Sequence, residues 1–155
     1  MVIEFMVPGR AKPQGSMKFA TSKSTGKPFP IKNAKLENWR ALVAVTADAA
    51  MKWTPPFDGG VVVRLRFYFK RPKKHYRTGR YSNIIRDDAP SKLEHFQTPD
   101  IDKLIRGVLD ALTGVVYHDD AQVREVHARK MWAGFDRTTV FVDGTHYLLA
   151  EEREA

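Results

Sequence analysis

The spacing of hydrophobic residues predicts six secondary-structure elements separated by polar segments. Runs that alternate or are rich in β-branched residues predict strands, whereas recurrence every three or four residues predicts helices. The predicted strands are Val2 to Val7, Val61 to Phe69, Gln122 to Trp132 and Thr138 to Val142. The predicted helices are Asn33 to Trp53, with Asn33 as the N-cap, and a second that begins near Thr98 and is ended by Gly114.

The order of these elements, β-α-β-loop-α-β-β, predicts an α/β fold of the α+β kind: a small mixed β-sheet packed with helices. Two polar segments separate the elements. Arg10 to Lys32 is rich in Lys, Ser, Thr, Gly and Pro, which predicts a loop or arm. Arg71 to Gln97 is long, basic and irregular, and such loops in a compact domain are usually functional or disordered.

The length of 155 residues favours one domain, and we expect residues 1–155 to form it. No apolar run is long enough for a transmembrane helix. Met1 to Val7 lacks the basic start and the small-residue cleavage site of a signal peptide. Because the chain has no cysteine, disulfides and thiolate metal sites are excluded. We therefore expect a cytoplasmic protein without a membrane partner.

Positive charge is concentrated in two parts of the chain. The net charge is +8, and 18 of the 26 Lys and Arg residues lie between Arg10 and Arg40 or between Arg64 and Lys92. The first stretch contains only one acidic residue, and the second contains only two. Such clusters attract a phosphate backbone and release its counterions. A solvated basic surface without a nucleic-acid partner would have the same composition.

Four carboxylates lie around the second predicted helix of this otherwise basic chain. Asp100 and Asp102 lie at its start, and Asp119 and Asp120 lie at the start of the strand that follows. Because the connection is short, these side chains can converge, and they would repel one another unless a cation joined them. Oxygen-only ligands favour Mg²⁺ or Mn²⁺ over zinc, and Arg106 could neutralise charge on a reacting phosphate. The pattern therefore predicts metal-dependent chemistry on nucleic acid.

Each part of this pattern also has a purely structural interpretation. Thr98 suits the N-cap of a helix and Pro99 its first position, and the acidic residues that follow complement the helix dipole. Asp102 and Arg106 are four residues apart, close enough to pair on one helix face. The later acidic pair could be no more than a polar turn.

Three blocks in this region resemble the RusA-type Holliday-junction resolvase family. That family's pattern runs Asp-x-Asp-Asn-Leu-x-Lys, then Asp-Ala-Leu, then Asp-Asp-x-Gln-Val. The corresponding blocks here are Asp100 to Arg106, Asp110 to Leu112 and Asp119 to Val123. The resemblance extends loosely to the N-terminal strand, the basic arm and the strand end at Phe69 to Pro72, and so covers most of the chain.

The resemblance implies a small RusA-like α/β homodimer that uses Mg²⁺ or Mn²⁺ to cut branched DNA. By position, Asp100, Asp102 and Asp120 match the family's catalytic, metal-binding aspartates. Asp119 resembles a supporting carboxylate of the same metal site. A two-fold symmetric enzyme would present two active sites to the two strands of a four-way junction.

Two positions depart from the family pattern. Arg106 stands where the family usually has a catalytically important lysine, and Lys103 replaces the usual asparagine. Arginine keeps the charge of lysine but not its compact ammonium geometry. We expect Arg106 to keep a catalytic role.

The leading hypothesis is a structure-selective endodeoxyribonuclease that resolves Holliday junctions by paired, metal-dependent nicks in DNA recombination and repair. The basic arm and the loop from Lys70 to Lys92 would hold the junction. The residues expected to bind DNA there are Lys12, Lys18, Lys73 and Lys74. One alternative is a non-catalytic protein that binds branched DNA, with activity lost through the two departures. Another is a nuclease that prefers flaps or replication forks.

Overall fold

A computed structural model describes residues 1–144 of the chain. Its main sheet has four strands in the order β1-β6-β4-β5, with β4 and β5 parallel and the other neighbours antiparallel. The strands are β1 (Val2–Pro8), β4 (Val61–Lys70), β5 (Val123–Ala133) and β6 (Arg137–Asp143). The helices are α1 (Ala34–Met51) and α2 (Ile101–Leu112). The predicted mixed sheet with two helices is confirmed.

The basic arm contains a feature that the sequence interpretation missed. A small hairpin pairs β2 (Phe19–Thr21) with β3 (Pro28–Pro30). The turn between these strands is closed by hydrogen bonds from Ser22 N to Lys27 O and from Gly26 N to Ser22 O, each 2.9 Å long. The predicted loop or arm therefore contains a hairpin that the prediction lacked. The paired strands are only three residues long and mostly exposed, so they leave no hydrophobic periodicity in the sequence.

The hydrophobic core lies between one face of the sheet and the two helices. Alternate side chains of β4 point into it. The buried members of that strand include Val63, Leu65 and Phe67, whereas Arg64 and Arg66 between them are exposed. A single cluster of buried residues joins these side chains to both helices. The helix residues in the cluster are Trp39, Val43, Ala47, Met51, Leu104, Val108, Ala111 and Leu112. The strong amphipathic spacing of α2 therefore leaves its polar face available for chemistry.

Helix α1 begins as predicted, and α2 does not. Asn33 caps α1 by accepting a hydrogen bond from Leu36 N at 3.3 Å. Helix α2 has Asp100 at the N-cap position, so Thr98 and Pro99 precede the helix and are joined by a cis peptide bond. The interpretation of Thr98 as N-cap and Pro99 as the first helical residue is therefore wrong. Within residues 1–144, no helix is long and apolar enough to cross a membrane.

Candidate active site

Asp100 lies at the start of α2, and its carboxylate is paired with a lysine one turn further along. Lys103 Nζ donates a hydrogen bond to Asp100 Oδ2 at 2.7 Å, and both side chains are about half exposed. This contact and the positive charge of Lys103 hold the pKa of Asp100 below its usual value. The same contact raises the pKa of Lys103, and the nearby charge of Asp102 adds to that effect. Two of the predicted site carboxylates therefore lie around one ammonium group.

A second lysine fixes the backbone immediately before Asp100. Lys130, on β5, donates hydrogen bonds from Nζ to the carbonyl oxygens of Gln97 and Pro99, at 2.5 and 2.9 Å. The side chain is partly buried, and this burial lowers the pKa of Lys130. Its charge also contributes to the lowered pKa of Asp100. A residue of the sheet thus fixes the position of the segment that leads into α2.

Asp102 and Arg106 are both exposed on α2, and no ion pair joins them in the described part of the chain. The i to i+4 spacing that brings such residues within reach is therefore not used here. No hydrogen bond or ion pair of the described residues occupies the Arg106 guanidinium. It is available to an external anion.

The basic arm crosses α2 close to these residues. Gln14 N donates to Lys103 O at 2.9 Å, and Gln14 Nε2 donates to Asp110 Oδ2. The crossing point is Gly107, where an added Cβ would lie 3.2 Å from Lys12 O. A larger residue at position 107 would push the arm away from the helix. The arm is therefore part of the site, and Lys12 lies beside the start of α2.

Two neighbouring cavities lie between the arm, the long basic loop and the start of α2. The first has a volume of about 360 Å³, and its lining residues are Arg10, Ala11, Lys12, Pro13, Thr98, Pro99, Asp100 and Lys103. The second has a volume of about 390 Å³, and its lining residues are Arg10, Lys70, Arg71, Pro72, Lys73, Gln97, Thr98, Trp132 and Asp136. Arg10 and Thr98 line both cavities, which therefore adjoin, and the two together are called the basic groove below.

The predicted DNA-binding lysines divide into two pairs. Lys12 lines the first cavity and Lys73 lines the second. Lys18 and Lys74 are exposed but line neither cavity. The sequence interpretation did not single out Arg10, which lies between the two cavities 3.6 Å from the Asp136 carboxylate.

The predicted site carboxylates lie in two acidic turns, Asp100 to Asp102 at the start of α2 and Asp119 to Gln122 before β5. The second acidic turn is held by its own hydrogen bonds. Asp120 to Gln122 form a single 3₁₀ turn, so Asp119 and Asp120 precede the strand instead of beginning it. Asp119 Oδ1 accepts a hydrogen bond from Ala121 N at 2.8 Å. Gln122 Oε1 accepts from His118 N and Asp119 N, at 2.8 and 3.0 Å, which completes a capping box.

Asp120 is exposed, and no hydrogen bond or ion pair within residues 1–144 engages its carboxylate. Burial raises the pKa of the Tyr117 hydroxyl, and the negative charge of Asp120 adds a smaller increase. That hydroxyl donates to Leu109 O at 2.9 Å, which ties the acidic turn to the last part of α2.

Family membership is decided by a match over most of the chain. Residues 8–143 match the family described as endodeoxyribonuclease RusA. The chain belongs to the RusA endodeoxyribonuclease family. The matched residues include both cavities, α2 and both acidic turns, so the resemblance based on three short blocks is confirmed. No curated protein gives a significant match.

The predicted ligands of a divalent metal are four carboxylates at the start of α2 and before β5. Carboxylate oxygens are suitable donors for Mg²⁺ or Mn²⁺. However, residues 1–144 contain no group of three or more acidic or histidine side chains placed to hold a metal. Asp100 is instead paired with Lys103. The carboxylate donors suit a divalent metal, but their present arrangement does not bring three of them together. The metal role of Asp100, Asp102, Asp119 and Asp120 stays a prediction.

The sequence interpretation did not single out Lys130 and Gln122, whose hydrogen bonds hold the backbone beside the predicted site carboxylates of this RusA-family chain. Lys130 has no local signal, because its partners Gln97 and Pro99 are more than 30 positions away in the chain. Gln122 does have one: an acidic residue followed three positions later by Gln is the pattern of a capping box, and Asp119 with Gln122 fits it.

Proposed function

We propose that this RusA-family endodeoxyribonuclease resolves Holliday junctions by paired symmetric nicks, in DNA recombination and repair. The observation that carries this proposal is the basic groove, whose lining includes Arg10, Lys73 and Asp100. A groove with this charge suits a phosphate backbone, and Asp100 is a predicted catalytic carboxylate. Family membership supports nuclease chemistry on DNA.

The cofactor in this proposal is Mg²⁺ or Mn²⁺, with Asp100, Asp102 and Asp120 as ligands and Asp119 as a supporting carboxylate. A bound ion of this class lowers the pKa of a coordinated water and stabilises charge on a phosphodiester. The exposed Arg106, which has no partner within residues 1–144, would neutralise charge on the reacting phosphate. This arrangement requires Asp100 to leave its contact with Lys103.

The DNA contacts follow from the same groove. Lys12 and Lys73 would hold backbone phosphates on either side of Arg10, and Lys18 and Lys74 would contact more distant parts of the junction arms. Such contacts are independent of base identity and release counterions, so junction affinity should fall steeply with salt. A flat salt response would contradict the assignment.

The proposed assembly is a homodimer. A four-way junction is resolved when two strands of the same polarity are nicked, and a two-fold axis places one active site at each strand. The proposal therefore predicts that each protomer makes one nick. A heterodimer of one active protomer with one Asp102→Asn protomer should nick one strand only.

One observation favours a second candidate, a non-catalytic protein that binds branched DNA. Asp100 is paired with Lys103, a residue that departs from the family pattern, and the described carboxylates do not form a ready metal site. Tight junction binding without detectable Mg²⁺ or Mn²⁺ binding would favour this candidate.

Competition between substrates tests the proposed specificity. Labelled four-way junction is offered with an excess of unlabelled flap, fork or linear duplex, and nicking of the label is followed. The proposal expects only unlabelled junction to compete well. Stronger competition by flap or fork DNA would assign the chain to a nuclease of different preference.

A further inference from the structure

Asp100 is held in two different ways by two lysines. Within residues 1–144, Lys130 bonds only to backbone carbonyls before Asp100, and so fixes where that residue lies. Lys103 bonds to the carboxylate itself, at 2.7 Å, and so occupies the group that a cation would need. The Lys130 contacts can persist while a metal binds at Asp100. The Lys103 contact must change, because it uses the carboxylate that the metal would bind.

We infer that Lys103 sets the cation affinity of this site, because its ammonium group competes with a divalent metal for the Asp100 carboxylate. Both partners are about half exposed, and Asp102, the neighbouring predicted ligand, also acts electrostatically on the same ammonium group. The inference rests on the proposed function only in assuming that a metal binds here.

The magnitude of the competition follows from the exposure of the pair. Exposed ion pairs add little stability, so a divalent cation can displace the ammonium group without a large penalty. Displacement leaves Lys103 free in the first cavity, where Arg10 and Lys12 are already present. The released ammonium group can then contact a DNA phosphate. Lys103 would therefore weaken metal binding in the free protein and strengthen DNA binding in the loaded one.

The experiment compares three variants of the full chain without DNA. Lys103→Asn removes the competing charge, Lys103→Arg keeps it, and Lys12→Asn removes the same charge from the same cavity without touching Asp100. Mn²⁺ affinity is measured from the electron paramagnetic resonance signal of the free ion. Because an exposed pair of this kind is weak, we expect Lys103→Asn to tighten Mn²⁺ binding by about two- to fivefold. Lys103→Arg should change it little, and Lys12→Asn should give a clearly smaller gain than Lys103→Asn.

A second measurement follows the ammonium group directly. The ¹⁵Nζ resonance of Lys103 should shift as diamagnetic Mg²⁺ is added, and that of Lys12 should shift less. Equal Mn²⁺ affinities of Lys103→Asn and Lys12→Asn would overturn the inference, because charge alone would then explain the gain. An unmoved Lys103 resonance at saturating Mg²⁺ would overturn it too. Failure of the metal-dependent function itself is a different result: neither wild type nor Lys103→Asn would bind Mn²⁺ at all.

Discussion

The two acidic turns of this protein are held in place by different kinds of contact. At the start of α2, Asp100 depends on the ammonium groups of Lys103 and Lys130. Before β5, Asp119 and Asp120 lie in a turn closed by hydrogen bonds from backbone N–H groups to Gln122 Oε1 and to the Asp119 carboxylate. The first turn is thus controlled by charge, and the second by backbone geometry.

This difference separates what each turn can contribute to the proposed metal site. Ion pairs between exposed groups are screened by salt and can exchange partners. The hydrogen bonds that close the second turn are also exposed, but they join residues two to four positions apart and need no ammonium partner. Asp100 must therefore leave Lys103 before a cation can bind it, whereas the exposed Asp120 carboxylate has no partner within residues 1–144 to displace.

The largest expected effect comes from Asp102, in the turn controlled by charge. Asp102→Asn keeps the size of the side chain and removes a predicted metal ligand, so nicking should fall by at least about a hundredfold. Junction affinity, measured by electrophoretic mobility shift without metal, should stay the same. Asp48→Asn on α1, also exposed, is the control. Unimpaired nicking by Asp102→Asn would remove the basis of the metal site.

The two aspartates of the second turn should differ from each other. Asp120→Asn should reduce nicking by about a hundredfold, because it removes a predicted ligand. Asp119→Asn can still accept the hydrogen bond from Ala121 N, since Asn and Asp are similar N-caps, so its nicking should fall less than about tenfold. Single-turnover nicking rates on one junction decide between them. Equal losses of nicking rate would mean that Asp119 binds the metal directly, as Asp120 is predicted to do.

Gln122 tests whether the second turn depends on neutral hydrogen bonds. Its Nε2 also donates to Phe57 O and Gly59 O, at 2.7 and 2.9 Å. Gln122→Ala leaves these partly buried groups unsatisfied and should lower the free energy of unfolding by about 2 kcal/mol. Urea denaturation measures the change, with the exposed Gln97→Ala as its control. A loss as small as that of the control would mean that water replaces these contacts readily.

Lys130 tests whether fixing the backbone before Asp100 matters for catalysis. Lys130→Met keeps the apolar stem but removes both hydrogen bonds, and misplacement of a reacting group should lower kcat by about tenfold. KM should change little, and Lys130→Arg should restore part of the rate. Arg129→Met removes the same charge from the exposed neighbouring residue. If Lys130→Met and Arg129→Met lose the same activity, the loss comes from removing a positive charge and not from the hydrogen bonds of Lys130.

The smallest expected effect concerns the pKa of Asp100. Lys103 holds this pKa below its usual value, so the pair stabilises the fold at pH values above that usual value. The contribution is lost as the pH falls through the lowered pKa of the folded state. In Lys103→Asn the pKa of Asp100 should rise, as followed by carboxyl ¹³C chemical shifts. An unchanged pKa would show that Lys103 does not contact Asp100 in solution.

Hydrophobic spacing was sufficient to predict the main elements of the fold. The periodicity of α2 and the β-branched run of β4 come from one-sided burial, which local sequence records directly. The hairpin of β2 and β3 was missed because it buries too little to leave such a pattern. The start of α2 was misplaced because Thr98 and Pro99 satisfy the local rules of a helix start. The contact of Lys130 with Pro99, which comes from a distant strand, is invisible to those rules.

The candidate site could be predicted in its residue types but not in its contacts. Spacing and the family pattern predict Asp100, Asp102 and Asp120 as site residues. They do not predict the present partners of these residues, because an ion pair such as that of Asp100 with Lys103 depends on which rotamers meet. The role of Arg10 between two cavities depends on how the arm crosses α2, which no local pattern encodes.

The most direct test of the central claim is cleavage of a labelled, immobile four-way junction by the wild-type protein. Reactions contain Mg²⁺, Mn²⁺ or a chelator, and linear duplex and flap DNA are run beside the junction. The account predicts symmetric paired nicks in the junction, which disappear with the chelator and are absent from the duplex. Tight junction binding without nicks under either metal would contradict it and would favour the binding-protein alternative.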